Sequence, residues 1–170
     1  ESEYNSFVGT YPIPIAHGLT LGELAQMALG EDWYDTDAKV NLRVIPMSGW
    51  QRDMKWNDTQ LKWVPPSPNL PTFEHAYAYI GTCLFEGTTL SEGRGTEHPF
   101  LMMGGESSKI NDDISLWSNH GVRLQPTQFT PVSIPGKALR PKGEGLLLNG
   151  ILWENALEHA DPLTIGLRMM

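Results

Sequence analysis

Hydrophobic residues recur at helical spacing in three parts of the chain. In residues 20–29, leucine and alanine return every three or four positions, a period that gives a helix one apolar face. Thr20 followed by Glu23 matches a capping box, in which each side chain accepts from the backbone N–H of the other residue. Gly30 suits the position just after a helix, where the backbone turns left-handed. These features predict a helix over about residues 20–29.

The other two helical patterns lie further along the chain. A stripe of aromatic and aliphatic residues runs from Phe73 to Gly87, with Thr72 in the N-cap position. Near the end, Asp161 and Pro162 are residue types preferred at the N-cap and at the first position of a helix. The predicted apolar face of that last helix consists of Leu163, Leu167 and Met170. Because this stripe still runs at the final residue, and the first residue is not methionine, we expect a piece of a longer protein.

Three stretches predict β-strands. Residues 40–47 are apolar and β-branched, which favours a strand buried on at least one face. Residues 122–130 predict an edge or bulged strand, because Pro126 cannot donate a ladder hydrogen bond. Residues 146–154 predict a further strand or pair of strand pieces. The order of elements predicts a mixed α/β fold over the single region 1–170, a partial domain in which a sheet carries flanking helices and long functional loops.

Composition and charge exclude several classes of protein. The 170 residues are 40% hydrophobic, which is enough for one core of ordinary domain size. The formal charge of −8 argues against nucleic acid and anionic membrane surfaces, which attract basic faces. No apolar run is long enough for membrane insertion, and the opening residues ESEYNSF lack the features of a signal peptide. Cys83 is the only cysteine, and no HExxH or Cys/His cluster occurs, so we expect neither a metal site nor a cofactor.

The segment EGTTLSEGRGTEHPF, residues 86–100, has almost no bulky apolar side chain before its end, so we expect function to order it. Glu86 and Glu92 offer the carboxyl pair that glycosidases use. Arg94 lies between two glycines, and its planar guanidinium suits a carboxylate, while His98 flanks the same ligand. Two alternatives stay open. Glu92 and Arg94 could pair only to hold a turn, or the glycines could cradle a phosphate, although the Gly-Lys-Ser/Thr ending of a P-loop is missing.

Other candidate site residues precede that segment. His17 comes just before the first predicted helix and could serve as an acid or base near neutral pH, with a structural role as the alternative. Residues 48–71 hold three tryptophans and four prolines without regular periodicity, which is typical of a functional loop. Trp63 could stack on a sugar ring or fill the core. Ser67 and Asn69 lie in a turn stiffened by proline, which presents polar groups accurately.

Several stretches together resemble one known family. The segments YPIPIAHGLTLGELA, IPMSGWQRDM, WVPPSPNLPT and LFEGTTLSEGRGTEHPF, in this order and at about these separations, are similar to the NamZ/YbbC family of exo-β-N-acetylmuramidases. Those glycoside hydrolases remove N-acetylmuramic acid from the non-reducing ends of peptidoglycan fragments. The resemblance is specific over residues 4–100 and weaker but continuous to the C-terminus.

The resemblance implies a function, a partner and a location. The chain would be part of a bacterial, periplasmic or secreted hydrolase that acts on muramyl sugars without a cofactor. In the family, a Rossmann-like portion precedes the equivalent of Glu1 and carries a Gly-Pro-Glu-His-Gly motif with a leading catalytic glutamate, and this sequence has no such motif. The alternative is a muramyl-sugar-binding module without catalysis. Pairing of two chains over an exposed half-core also stays open.

The motif matches imply which residues form the site. They cover His17, Asn69, Glu86, Glu92, Arg94 and Thr96. Muramic acid carries a lactyl ether with a carboxylate, and Arg94 is the residue of the charged segment best suited to bind it. The predicted catalytic residues are Glu86, Glu92 and His17, and the predicted substrate-binding residues are Asn69, Ser67, Arg94, Thr96, His98 and Trp63.

Overall fold

The chain divides into two units at the bond between Thr59 and Gln60. A computed structural model describes residues 3, 6, 9–14, 16–34, 37–107, 122–154 and 160–170. The first unit is Glu1–Thr59 and the second is Gln60–Met170. Within the described residues, no helix combines the length and the apolar character needed to cross a lipid bilayer.

The first unit contains helix α1, Leu21–Gly30, which begins at the predicted capping box. Thr20 Oγ1 accepts from the N–H of Glu23 at 3.2 Å, and Glu23 Oε2 accepts from the N–H of Thr20 at 2.8 Å. Gly30 is the last helical residue, so the position predicted for it just after the helix is wrong. Asp32 takes the left-handed conformation instead, with φ of 53°, which a short polar side chain tolerates better than most.

The strand predicted for residues 40–47 is not formed. Val40 and Leu42 line a small apolar hollow beside α1 but are still 53% and 39% exposed, and Ile45 and Met47 are 81% and 65% exposed. A strand needs a neighbouring strand to satisfy its backbone hydrogen bonds, and the described residues of this unit form no other strand. Part of the apolar pattern therefore lies beside a helix, and none of it forms a strand.

The described part of the second unit contains a three-stranded antiparallel sheet. Its strands are β1 (Met102–Gly105), β2 (Arg123–Phe129) and β3 (Leu148–Glu154), and β3 lies between the other two. β2 and β3 confirm the two strands predicted here, and Pro126 lies on an edge strand as expected. β1 is not predicted by the sequence pattern, because it is short and half of it is glycine, which is depleted in strands.

Two helices complete this unit in its described part. α2 is Phe73–Thr82, and a 3₁₀ helix, Cys83–Gly87, extends it to the predicted end. α3 is Pro162–Met169, and it begins as predicted, with Asp161 Oδ1 accepting from the N–H of Thr164 at 3.1 Å. Together with the sheet, these helices confirm the predicted mixed α/β fold.

α2 and α3 approach so closely that both need glycine at the contact. A Cβ on Gly81 would lie 1.8 Å from Pro162 O, and a Cβ on Gly166 would lie 2.4 Å from Gly81 O. This contact sets the rotation of α3. The predicted apolar face of the helix is wrong, because Leu167 and Met170 are 57% and 67% exposed. The buried residues of α3 are Pro162, Ile165, Gly166 and Met169.

The main core of this unit joins the sheet to both helices. Its buried side chains are Ala78, Phe85, Leu101, Met103, Val122, Leu124, Ile151, Trp153, Ala160, Ile165 and Met169. A smaller cluster consists of Met102, Phe129 and Leu148. The core positions the end of the 3₁₀ helix, through buried Phe85, beside the start of β1.

Candidate functional site

Four charged side chains meet around the loop that follows the 3₁₀ helix. Arg94 Nη2 forms an ion pair with Glu86 Oε1, and Arg94 Nε lies 3.7 Å from Glu92 Oε1. Lys142 Nζ lies 3.1 Å from Glu92 Oε2. Glu86, Glu92, Arg94 and Lys142 are called the charged cluster below. The formal charges of the cluster cancel, since two carboxylates face two cations.

Glu92 is the buried member of the charged cluster. It is 3% exposed, whereas the side chains of Glu86 and Arg94 are 33% and 38% exposed. Ser91 exchanges two backbone hydrogen bonds with Gly104 of β1, at 2.8 and 3.0 Å, and thereby anchors Glu92 beside the sheet. A carboxylate removed from water needs opposite charge nearby, and the two cations supply it.

Lys142 reaches the cluster from a distant part of the chain. Its Nζ donates to the carbonyl oxygens of Phe85 at 2.7 Å, Glu86 at 2.9 Å and Leu90 at 3.3 Å. A lysine has three N–H donors, so these carbonyls use all of them. Its contact with Glu92 is therefore an attraction between charges without a directed hydrogen bond. Accordingly, Glu92 Oε2 has no hydrogen-bond donor among the described residues.

Aromatic rings support Arg94. Its guanidinium carbon lies 5.1 Å from the ring centroid of Phe100, which is within cation–π range. The Phe100 ring meets Tyr79 edge-on, with centroids 4.7 Å apart. Phe100 is 1% exposed, has φ of 65°, and donates its N–H to Glu92 O at 2.7 Å. A bulky residue in this region of φ is strained, so these surrounding contacts must hold the loop closed.

Tyr79 adds a phenol next to Glu86. Burial raises the pKa of Tyr79, and the negative charge of Glu86, with which it hydrogen-bonds, raises it further. The phenol therefore stays protonated and can donate to the carboxylate. Tyr79 was not among the predicted site residues. The seven-residue spacing between Tyr79 and Glu86, two turns of a helix, is a signal that could have indicated their contact.

Two glycines give the loop its shape. Gly93 and Gly95 have φ of 78° and 80°. A Cβ on Gly93 would lie 2.6 Å from Met102 O, and a Cβ on Gly95 would lie 2.5 Å from Val132 O. Both positions need glycine for its left-handed backbone and its lack of a side chain. The glycines thus fold Arg94 back onto the two glutamates.

The predicted residues of the proline-rich turn bind neighbouring backbone. Asn69 is 8% exposed, and its Nδ2 donates to Lys137 O at 2.8 Å. Ser67 Oγ accepts from the N–H of Asn69 at 3.3 Å. Trp63 Nε1 donates to Leu70 O at 3.1 Å, and its ring packs against the first residue of α2. These side chains hold the loop together, and their roles in substrate binding stay predictions.

Thr96 and His98 lie at the end of the charged segment. Thr96 Oγ1 donates to Gly93 O at 2.6 Å and accepts from the N–H of His98 at 3.0 Å. His98 is exposed and borders an open cleft of about 540 Å³ together with Arg123 and Glu154. No member of the charged cluster lines that cleft. The structure therefore places Thr96 in the turn of the site and His98 on a different surface.

His17 belongs to the first unit. Its Nδ1 accepts from the N–H of Leu19 at 3.1 Å, in the turn that leads into α1. Arg52 fixes the same turn, because its guanidinium donates to Gly18 O at 2.6 Å and to Glu23 Oε1 at 2.5 Å. The hydrogen bond from Arg52 and the helix cap lower the pKa of Glu23 to about 2. The catalytic role of His17 stays a prediction. Across the described residues of both units, no group of three or more His, Cys, Asp or Glu side chains could hold a metal ion.

Comparison with known proteins identifies the family. Residues 1–74 match the N-terminal family model of exo-beta-N-acetylmuramidase NamZ, and residues 77–170 match the C-terminal model. The chain belongs to the NamZ family. This membership confirms the resemblance seen in the sequence motifs. All four residues of the charged cluster lie in the part that matches the NamZ C-terminal model, whereas His17 and Asn69 lie in the N-terminal part.

Individual relatives agree with this assignment. The chain is 41% identical over 154 residues to peptidoglycan beta-N-acetylmuramidase NamZ of Bacillus subtilis, a match that covers 89% of the chain and 34% of that NamZ protein. A crystal structure of a DUF1343 family protein from Bacteroides fragilis superposes with a TM-score of 0.84 at 29% identity, over 99% of the chain and 43% of that protein. A second one has a TM-score of 0.68 at 37% identity, over 91% and 38%. The chain thus spans between 34% and 43% of the length of these three relatives.

Proposed function

We propose that this chain forms part of the active site of an exo-β-N-acetylmuramidase, which removes N-acetylmuramic acid from the non-reducing ends of peptidoglycan fragments. Its similarity to the Bacillus subtilis muramidase supports the reaction and the substrate class. Because peptidoglycan lies outside the cytoplasmic membrane, we also propose that the protein acts outside the cytoplasm of a bacterium.

The observation that carries the proposal is the convergence of Glu86 and Glu92 on one arginine. Glycoside hydrolysis uses two carboxyl groups around an oxocarbenium-like transition state. Both glutamates contact Arg94, so they are close enough to act on one sugar. Buried Glu92, faced by two cations, is held in a fixed position from which its carboxylate can stabilise developing positive charge. Glu86 is more exposed and hydrogen-bonds with Tyr79.

Arg94 supplies recognition of the muramyl group in this proposal. Its guanidinium is partly exposed and contacts Glu86 through Nη2. A guanidinium has five N–H donors, so it can also bind the lactyl carboxylate of the substrate. We assign the rest of the active site, including a further catalytic group, to the part of the NamZ relatives that this chain does not cover.

Hydrolysis of p-nitrophenyl β-N-acetylmuramide tests the proposal. The chain alone and a longer NamZ polypeptide that includes it are assayed side by side, and we expect activity only in the longer one. In the active polypeptide, Glu92→Gln and Glu86→Gln should each lower kcat by about 100-fold or more. Glu97→Gln, which changes an exposed glutamate of the same segment, is the matched control and should change little.

Two results would redirect the assignment. If both glutamine variants kept kcat within about threefold of wild type, the charged cluster would not be catalytic. Binding of N-acetylmuramic acid without turnover, in both the chain and the longer polypeptide, would instead identify a muramyl-sugar-binding module.

A further inference from the structure

We propose that Lys142 is a positioning residue that holds Glu92 in its reactive orientation. The inference rests on the proposed function, because it assumes that Glu92 acts on the substrate. Lys142 was not among the predicted site residues, and its position in the RPKGEG segment gives no indication of a role. Three features of the structure assign the role to it: its charge, its hydrogen bonds and the attachment of its own loop.

The charge of Lys142 is the nearest compensation for buried Glu92. Its Nζ lies 3.1 Å from Glu92 Oε2, whereas Arg94 Nε lies 3.7 Å from Glu92 Oε1. Arg94 is also paired with Glu86, while Lys142 has no second carboxylate within ion-pair distance among the described residues. Because removal of one partner leaves a buried charge uncompensated, charge compensation at Glu92 depends on Lys142 more than on Arg94.

The hydrogen bonds of Lys142 fix the backbone next to Glu86 and the backbone shortly before Glu92. Two of its acceptors, Phe85 O and Glu86 O, lie at the end of the 3₁₀ helix, and the third, Leu90 O, lies two residues before Glu92. One ammonium group therefore sets the distance between the segments that carry Glu86 and Glu92. In glycosidases, the separation of the two carboxyl groups decides the course of the reaction.

The loop that carries Lys142 is itself attached to the site. Val132 donates its N–H to Gly95 O at 3.0 Å, and Gly145 donates its N–H to Pro131 O at 2.9 Å. These bonds close residues 131–145 against the Gly-Arg-Gly turn. The side chain of Lys142 is 31% exposed, so most of it is covered by protein where it contacts the charged cluster, and part of it still contacts solvent. A lysine fixed in this way can orient its neighbours accurately.

The test compares Lys142→Met with wild type in the active NamZ polypeptide that includes this chain. Misplacement of a catalytic group by about 1 Å costs about 100-fold in rate, so we expect kcat to fall by about that factor. KM for p-nitrophenyl β-N-acetylmuramide should stay within about threefold, because Lys142 acts through Glu92 and not through the sugar. Lys142→Arg keeps the positive charge, and its kcat should be at least about tenfold higher than that of Lys142→Met.

Two further variants separate this role from general damage to the fold. Lys137→Met makes the same change at an exposed lysine five positions away, and it should keep kcat within about twofold. Urea unfolding midpoints are measured for every variant. If Lys142→Met does not fold, Lys142→Gln replaces it, since glutamine keeps N–H donors for the carbonyls but removes the charge. The same fall in kcat is expected from it.

The outcomes distinguish this inference from the proposed function. A wild-type kcat in a folded Lys142→Met protein, a rise in KM with kcat unchanged, or equal activity in the Met and Arg variants would each overturn the role of Lys142. Failure of the proposed function would give a different result: Glu92→Gln would keep the wild-type kcat, whatever the kcat of Lys142→Met. Loss of activity in Glu92→Gln with full activity in Lys142→Met would therefore reject the positioning role alone.

Discussion

Replacement of Gly81 by alanine should force the two helices of the second unit apart. The new Cβ would lie 1.8 Å from Pro162 O, against ordinary contact distances that begin at 3.4 Å. The oxygen must therefore retreat by about 1.6 Å, the difference between these two distances. Because the obstacle is backbone, no change of rotamer relieves the overlap, and α3 has to move.

The magnitude follows from the side chains that α3 buries. Ile165 is fully buried and Met169 is 9% exposed, and a gap of about 0.5–1 Å already removes about a quarter to a half of a dispersion contact. Overpacking costs about 1–3 kcal/mol, and this clash belongs at the upper end. The higher helix propensity of alanine offsets about 1 kcal/mol of this overpacking cost. We expect a net loss of about 2 kcal/mol, which lowers the Tm of a unit of this size by about 10 °C.

Thermal unfolding followed by circular dichroism measures this effect on the whole chain. Gly87→Ala is the matched control, because its Cβ would meet nothing within 4 Å and it lies in the same unit. The control should melt within about 2 °C of wild type. If Gly81→Ala also melted within about 2 °C of wild type, the close contact of α2 and α3 would not be rigid, and the reasoning would be refuted.

Three further predictions concern charged groups. Arg94→Lys should reduce kcat/KM on muramyl substrates at least about tenfold more than on glucosaminyl ones, since lysine lacks the planar fork; an equal loss on both would contradict binding of the lactyl carboxylate. Burial lowers the pKa of His75 below its ordinary value of 6.5, and the positive charge of His98 acts in the same direction. The stability that comes from the neutral, buried form of His75 is therefore complete above pH 6.5 and falls as the pH drops below that value. His75→Gln should therefore shrink the difference in urea midpoint between about pH 7.5 and about pH 5.5, and an unchanged difference would exclude His75 as its source. Because Arg52 lowers the pKa of Glu23 from 4.5 to about 2, the stability from Glu23 is present above pH 4.5 and is lost as the pH falls toward 2. In Arg52→Met, an NMR titration should show the pKa of Glu23 higher than in wild type, and an unaltered titration would show that Arg52 is not the cause.

Helix starts were predictable because their signals are local. Thr20 and Asp161 each accept a hydrogen bond from an N–H three residues later, so the residue types alone mark the N-terminus. The structure of residues 40–47 was not predictable in this way, since strand pairing depends on a partner distant in sequence. The buried face of α3 depends on the contact of Gly81 with Gly166, which no periodicity within one helix reveals.

The distinction between local signals and contacts distant in sequence also explains which members of the site were predicted. Glu86, Glu92 and Arg94 lie within one short segment, whose charge and glycine content are enough to indicate chemistry. Lys142 lies 57 residues from Phe85, whose carbonyl it binds. A lysine in a Gly/Pro-rich connection has no pattern that marks it as a partner of a distant carboxylate. Its role becomes visible only through tertiary distances.

The contacts of Lys142 also determine when the site can form during folding. They close chain segments of 52 to 57 residues, and closure of long segments is slower than formation of a capped helix. α2 and the 3₁₀ helix can therefore become ordered while Glu92 still lacks its nearest cation. During refolding, recovery of the helical circular dichroism signal should precede recovery of the charged cluster, so any activity of this site would report the last stage of assembly.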